Sequence, residues 1–117
     1  MASYPECIFC KITAKEIPAS ILYEDNRIIA IADINPVAPL HVLIMPKEHI
    51  PSLREINEGH KALLGQIQLT AAKLAEEEGI AASGYRLVCN CGDEGGQTVP
   101  HLHYHLIGGK KMLWPPG

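Results

Sequence analysis

Short apolar runs punctuated by turn residues dominate the chain, and one long stretch breaks that rhythm with a helical repeat. Residues 20–23 are brief and apolar, Glu24-Asp25-Asn26 has turn chemistry, and residues 27–32 are β-branched and hydrophobic, which predicts a hairpin of two antiparallel strands. Asp33-Ile34-Asn35-Pro36 ends the run. A third strand is expected over 41–45, bounded by Pro39 and Pro46, because proline cannot donate to a ladder. Ser52 and Glu55 have capping-box spacing and predict a short helix, and Asn57 is read as the cap of a longer one reaching Glu78. Within it Leu63, Leu64, Ile67, Ala71, Leu74 and Ala75 recur at helical period, and Gly79 is a natural stop. Residues 85–90 read as a fourth strand, 91–97 as a glycine-rich loop and 101–107 as a fifth strand. Near the start, residues 11–14 predict a helical turn ended before Pro18.

Strands, then a helix, then strands, with hairpin-length connections, imply an α+β fold built on a mainly antiparallel five-stranded sheet with one long and one or two short helices. Residues 1–117 are read as one domain. The proline-rich tail over 112–117 suits neither helix nor central strand, so Trp114 is expected to dock onto another surface, such as a second subunit.

Composition narrows the function. With 47% hydrophobic and 20% charged residues the chain resembles an ordinary globular protein. A formal charge of -3 without a Lys/Arg cluster argues against a nucleic-acid binder, which needs a basic face, but leaves room for a small anion held by backbone donors. No apolar run approaches the roughly 20 residues that span a bilayer, and no leader-like segment opens the chain, so a cytoplasmic location is expected and no membrane partner. In that compartment Cys7, Cys10, Cys89 and Cys91 are read as reduced thiols, which raises metal binding as the alternative to plain buried thiols.

The chemistry concentrates late in the chain. His101-Leu102-His103-Tyr104-His105 sets imidazoles at alternate positions, which in a strand share one face. Imidazole serves as nucleophile, acid, base or metal ligand near neutrality; the competing reading is a polar face on an edge strand. Just upstream, Asp93-Glu94-Gly95-Gly96-Gln97-Thr98 offers backbone N–H groups and a hydroxyl to a phosphate, although a simple glycine-rich turn has the same composition.

These residues resemble the histidine triad (HIT) family, and the Hint branch in particular. The resemblance runs through Ile8-Phe9, Lys15-Glu16-Ile17-Pro18-Ala19, Asp33-Ile34, Pro39-Leu40-His41, Ile44-Met45-Pro46-Lys47, Gly95-Gly96-Gln97-Thr98-Val99, the histidine triplet, and Gly108-Gly109 through Trp114-Pro115-Pro116-Gly117. It implies the HIT-like fold, a homodimer with the sheet continued across two subunits, and hydrolysis of purine nucleoside 5′-phosphoramidates through a nucleotidyl-histidine. The alternatives are dinucleoside polyphosphate hydrolysis and a non-catalytic, nucleotide-binding regulatory role.

By resemblance His103 is the nucleophile, the carbonyl of His105 holds its other ring nitrogen, and His41 supports the same network. Thr98 stands where the family has a hydroxyl near the leaving amine, and Asn90, Gly96 and Gln97 match the phosphate segment. Asp33 matches the ribose-binding acid, Ile8, Phe9 and Ile34 the apolar walls of the base pocket, and Trp114 the tail that reaches toward the partner's site. Cys7 and Cys10 supply half of a tetrahedral site that some bacterial relatives complete with residues matching His49 and His101, which implies a structural zinc; the chemistry itself is expected to need no metal. Cys89 and Cys91 are read as core or surface thiols. Pro100 and Ile31 depart from the family pattern, where aromatic residues are frequent.

Overall fold

Alternation along β2 (Ile28–Ala32) and β3 (Leu40–Pro46) sends side chains to two covered faces, which is why both strands read as apolar runs broken only by His41. In the computed structural model, which describes residues 4–117, Ile28, Ala30, Val42 and Ile44 face the long helix α2 (Lys61–Glu77). Ile29, Ile31, Leu43 and Met45 face the short helix α1 (Ile8–Thr13). The remaining strands are β1 (Ile21–Glu24), β4 (Tyr85–Val88) and β5 (Tyr104–Gly108). All five form one antiparallel sheet in the order β1-β2-β3-β5-β4, as the expected α+β class requires.

Local chemistry sets the element ends. Asp25 turns the β1–β2 hairpin by accepting the N–H groups of Arg27 and Ile28, each at 2.8 Å. Helix α1 begins where the Cys7 thiol accepts the Cys10 N–H at 3.3 Å. On α2, Leu63, Ile67, Ala71 and Leu74 are buried against the sheet and carry the helical repeat read from the sequence.

Several boundaries differ from expectation: α1 starts at Ile8 rather than at residue 11, and β4 ends at Val88 rather than at residue 90. Asn57 does not start the long helix; its Oδ1 accepts the Gly59 N–H at 2.8 Å while its own N–H donates to His60 Nδ1 at 3.0 Å, capping a separate 3-10 turn over Glu58–His60. A second such turn, Leu53–Glu55, follows Ser52 as the short helix predicted there. The fifth strand begins at Tyr104 rather than His101, because the preceding residues bond elsewhere: Leu102 N–H donates to the Ile50 carbonyl at 2.6 Å and His101 N–H to that of Val99 at 2.8 Å. Among the described residues no helix is long and apolar enough to cross a membrane.

Candidate active site and metal-binding group

β5 delivers His105 to the face that α1 covers, since His105 pairs with Leu43 of β3. The extended lead-in keeps the alternation, so Phe9 of α1 meets both His101 and His103 edge-on, at ring separations of 5.9 and 5.0 Å. The triplet thus shares a face but not an environment. His103 and His105 open onto a cleft of about 410 Å3, whereas His101 turns into a sulfur-rich cluster behind it.

Ile8, Phe9, Asp33, Ile34 and Thr98 join His103 and His105 in lining that cleft. Ile17, Ala19 and Leu43 line it too; Ile17 and Ala19 belong to the Lys15–Ala19 motif that the resemblance runs through but had no site role assigned, and the parity of Leu43 against His105 places it there. Asn90, Gly96, Gln97 and Trp114 do not line it. The side chain of Gln97 builds the glycine-rich loop instead: its Oε1 accepts the Gly92 N–H at 2.9 Å, and its Nε2 donates to the carbonyls of Pro51 at 2.7 Å and Val99 at 3.0 Å. Gly95 is required because a Cβ there would strike the Cys91 carbonyl, and Gly96 takes a positive φ of 83°. Trp114 is 82% exposed.

The hydrogen bonds assign the imidazole protons. His103 Nδ1–H donates to the carbonyl of His101 at 2.6 Å, which leaves the Nε2 lone pair free. This corrects the expectation that His105 supplies that carbonyl: in the extended segment the ring reaches back two residues, not forward. Val37 N–H donates to His41 Nδ1 at 3.2 Å, so the His41 proton sits on Nε2, 2.8 Å from His105 Nδ1 and 3.3 Å from Asp33 Oδ2. His105 then carries its own proton on Nε2. Burial, and the neighbouring His103 and His41, push the His105 pKa below its usual value, against the pull of Asp33. Such an arrangement pairs an unprotonated nitrogen with a neighbouring N–H donor, as nucleophilic attack on a charged centre needs. His41 and His105 are at hydrogen-bonding separation, so Asp33, His41 and His105 form a hydrogen-bonded relay in the ligand-free protein; the same three side chains stand close enough to hold a metal ion.

Behind the cleft, one ligand atom each from Cys7, Cys10, His49 and His101 lie within 4.8 Å of one another, and these four could hold a metal ion. Sulfur-to-nitrogen distances are 3.3 Å for Cys7–His101, 3.2 Å for Cys10–His49 and 3.5 Å for Cys10–His101. A tetrahedral ion with thiolate and imidazole ligands would separate them by about 3.5 Å, so the donor set fits. His101 Nε2–H donates to the Pro46 carbonyl at 2.8 Å, which turns the Nδ1 lone pair toward the sulfurs. Burial pushes His101 down to about 4, keeping it neutral, and burial, reinforced by Cys7, raises the Cys10 thiol to about 12. Tyr4 stacks on His49 at 3.9 Å.

Comparison with known proteins assigns the chain to a family. The family model described as the scavenger mRNA decapping enzyme C-terminal binding domain matches residues 6–114. An uncharacterised HIT-like protein of Synechococcus elongatus is 50% identical over 112 residues, covering 96% of this chain and 97% of that protein. The purine nucleoside phosphoramidase of Escherichia coli K12 is 47% identical over 107 residues, 92% of this chain and 90% of the enzyme. A HIT family hydrolase from Legionella pneumophila superposes with a TM-score of 0.94 at 50% identity, over 96% of this chain and all of that one. With the family match over residues 6–114, relatives about half identical over nearly their whole length and a shared fold, the protein belongs to the HIT family and is a HIT-type hydrolase.

Proposed function

We propose that the cleft hydrolyses the P–N bond of purine nucleoside 5′-phosphoramidates. The observation that carries this reading is His103, pinned at Nδ1 by the His101 carbonyl with Nε2 free in an apolar cleft beside Asp33. Nε2 attacks the α-phosphorus, the P–N bond to the amine breaks, and the amine departs with a proton taken from solvent water and relayed by the Thr98 hydroxyl. A nucleotidyl-His103 remains, its positive ring stabilised by the Nδ1–H bond to His101. Water then attacks phosphorus, releasing the nucleoside monophosphate and the free imidazole. Asp33 accepts from the ribose hydroxyls, while Ile8, Phe9 and Ile34 bracket the base. Backbone N–H groups of the Gly96–Thr98 loop, shaped by Gln97, together with Asn90, are assigned to the phosphate. The 47% identity to a purine nucleoside phosphoramidase supports the substrate class.

Two further assignments accompany it. The Cys7, Cys10, His49 and His101 group is proposed to hold a structural zinc, on the fit of its donors; zinc would supply a cross-link between α1 and the segment after β3, and His103 would perform its attack without it. A cytoplasmic homodimer is proposed in which the sheets join along edge strand β4 and the exposed Leu113 and Trp114 reach toward the partner subunit.

The test is amine release from adenosine 5′-phosphoramidate, with acid-quenched samples assayed for a nucleotidyl-protein adduct. Turnover and adduct in the wild type, with His103→Ala losing on the order of 10³-fold or more in kcat, are the expected result. A folded, AMP-binding wild type that releases no amine overturns the phosphoramidase reading and favours polyphosphate hydrolysis or nucleotide binding alone.

A further inference from the structure

The segment between β2 and β3 clasps His41 at several points. Asp33 N–H donates to the His41 carbonyl at 2.9 Å, Asp33 Oδ2 stands 3.3 Å from Nε2, and Val37 N–H donates to Nδ1 at 3.2 Å. The other carboxylate oxygen, Oδ1, accepts the Asn35 N–H at 2.8 Å and holds the turn that aims Val37. A single carboxylate therefore acts on both nitrogens of one buried ring, directly at Nε2 and through the turn at Nδ1. Were the His41 proton on Nδ1, it would meet the Val37 N–H, and the Nε2 lone pair would face the Asp33 anion. Carboxylates only accept, so Asp33 enforces the Nε2–H form.

That choice propagates. His41 Nε2–H donates to His105 Nδ1 at 2.8 Å, so the His105 proton must occupy Nε2, on a ring that lines the cleft 5.1 Å from that of His103. From this geometry we infer that Asp33 is a positioning residue for the His41–His105 relay, besides any contact it makes with a sugar. It rests on the phosphoramidase reading for its kinetic consequence, but the proton arrangement exists in the free protein. Asparagine cannot replace the carboxylate, because it has one acceptor oxygen for two donors and sets an NH2 group against the other. A residue that served only to bind the ribose diol would have no effect on a substrate without one.

Two readouts test this on Asp33→Asn and Asp33→Ala, the second removing the acceptors without introducing a donor. In ligand-free protein, 15N spectra of the histidine rings should show His41 and His105 each as a single Nε2–H form in the wild type and as mixed forms in the variants. With a 2′,3′-dideoxynucleoside 5′-phosphoramidate, kcat of the variants should fall about tenfold below wild type while KM changes less than about twofold. Unchanged ring forms, or variant kcat values equal to wild type on the diol-free substrate, overturn the inference. If the wild type cleaves neither this substrate nor the ribose form, the phosphoramidase reading has failed separately, and the ring spectra alone decide.

Discussion

His101 shows how one side chain can serve two neighbourhoods. Its carbonyl orients His103, its Nε2–H bonds Pro46, and its Nδ1 faces Cys7 and Cys10. Burial lowers its pKa from 6.5 to about 4, so the unfolded chain binds a proton there that the native state does not. Stability of the metal-free protein from this group is therefore complete above pH 6.5 and is lost as pH falls toward 4, by about 3 kcal/mol. Urea titrations of metal-free wild type between those pH values check it, with His101→Gln expected to flatten the dependence. Gln97 makes a different prediction. Its amide ties the loop to Pro51, Val99 and Gly92, so Gln97→Ala should cost about 1–3 kcal/mol in the same titrations and lower kcat through displacement of Thr98. In the sequence this residue resembled a phosphate-segment position; that its amide is spent on the loop follows from chain segments 46 residues apart meeting at Pro51.

At the scale of elements, α2 was legible from periodicity because one face of it meets only the sheet. Its start was not, since Asn57 is a competent cap wherever the following backbone turns, and His60 completes a cap usually closed by Glu or Gln. Ile67 lies fully buried in this interface, so Ile67→Ala should destabilise the fold by about 2–5 kcal/mol, measured by denaturant midpoint, while kcat per folded molecule stays near wild type. The retained kcat is expected because α2 covers the sheet face opposite the cleft. The strand expected from His101 was shortened for a tertiary reason: Leu102 bonds to Ile50, a partner no local pattern announces.

Across the whole molecule, α1 is the element that couples the metal-binding group to the cleft. Cys7 and Cys10 flank Ile8 and Phe9, so the residues that would hold zinc also set the wall beside His103. Removing metal with a chelator should lower Tm by several degrees and reduce kcat/KM for the phosphoramidate, with both restored by zinc; Cys7→Ser should behave like the chelated protein. Metal content of protein purified without chelator should be about one zinc per chain. Unchanged melting and activity on chelation, in a protein shown to contain no metal, would remove zinc from the account.

The α+β class, the strand runs, the long helix and the histidine triplet with its glycine-rich approach were set by local order in the chain, because periodicity, turn residues and side-chain spacing act over a few neighbours. By resemblance the sequence also pointed to His103, Asp33 and the four candidate metal ligands. Only the fold decided which carbonyl holds the His103 ring, that Gln97 braces a loop rather than lining the cleft, and that Asp33 grips His41. Those outcomes depend on which hydrogen-bond donors and acceptors meet once β3 and β5 pair and burial denies them water, and a linear pattern does not specify such partners.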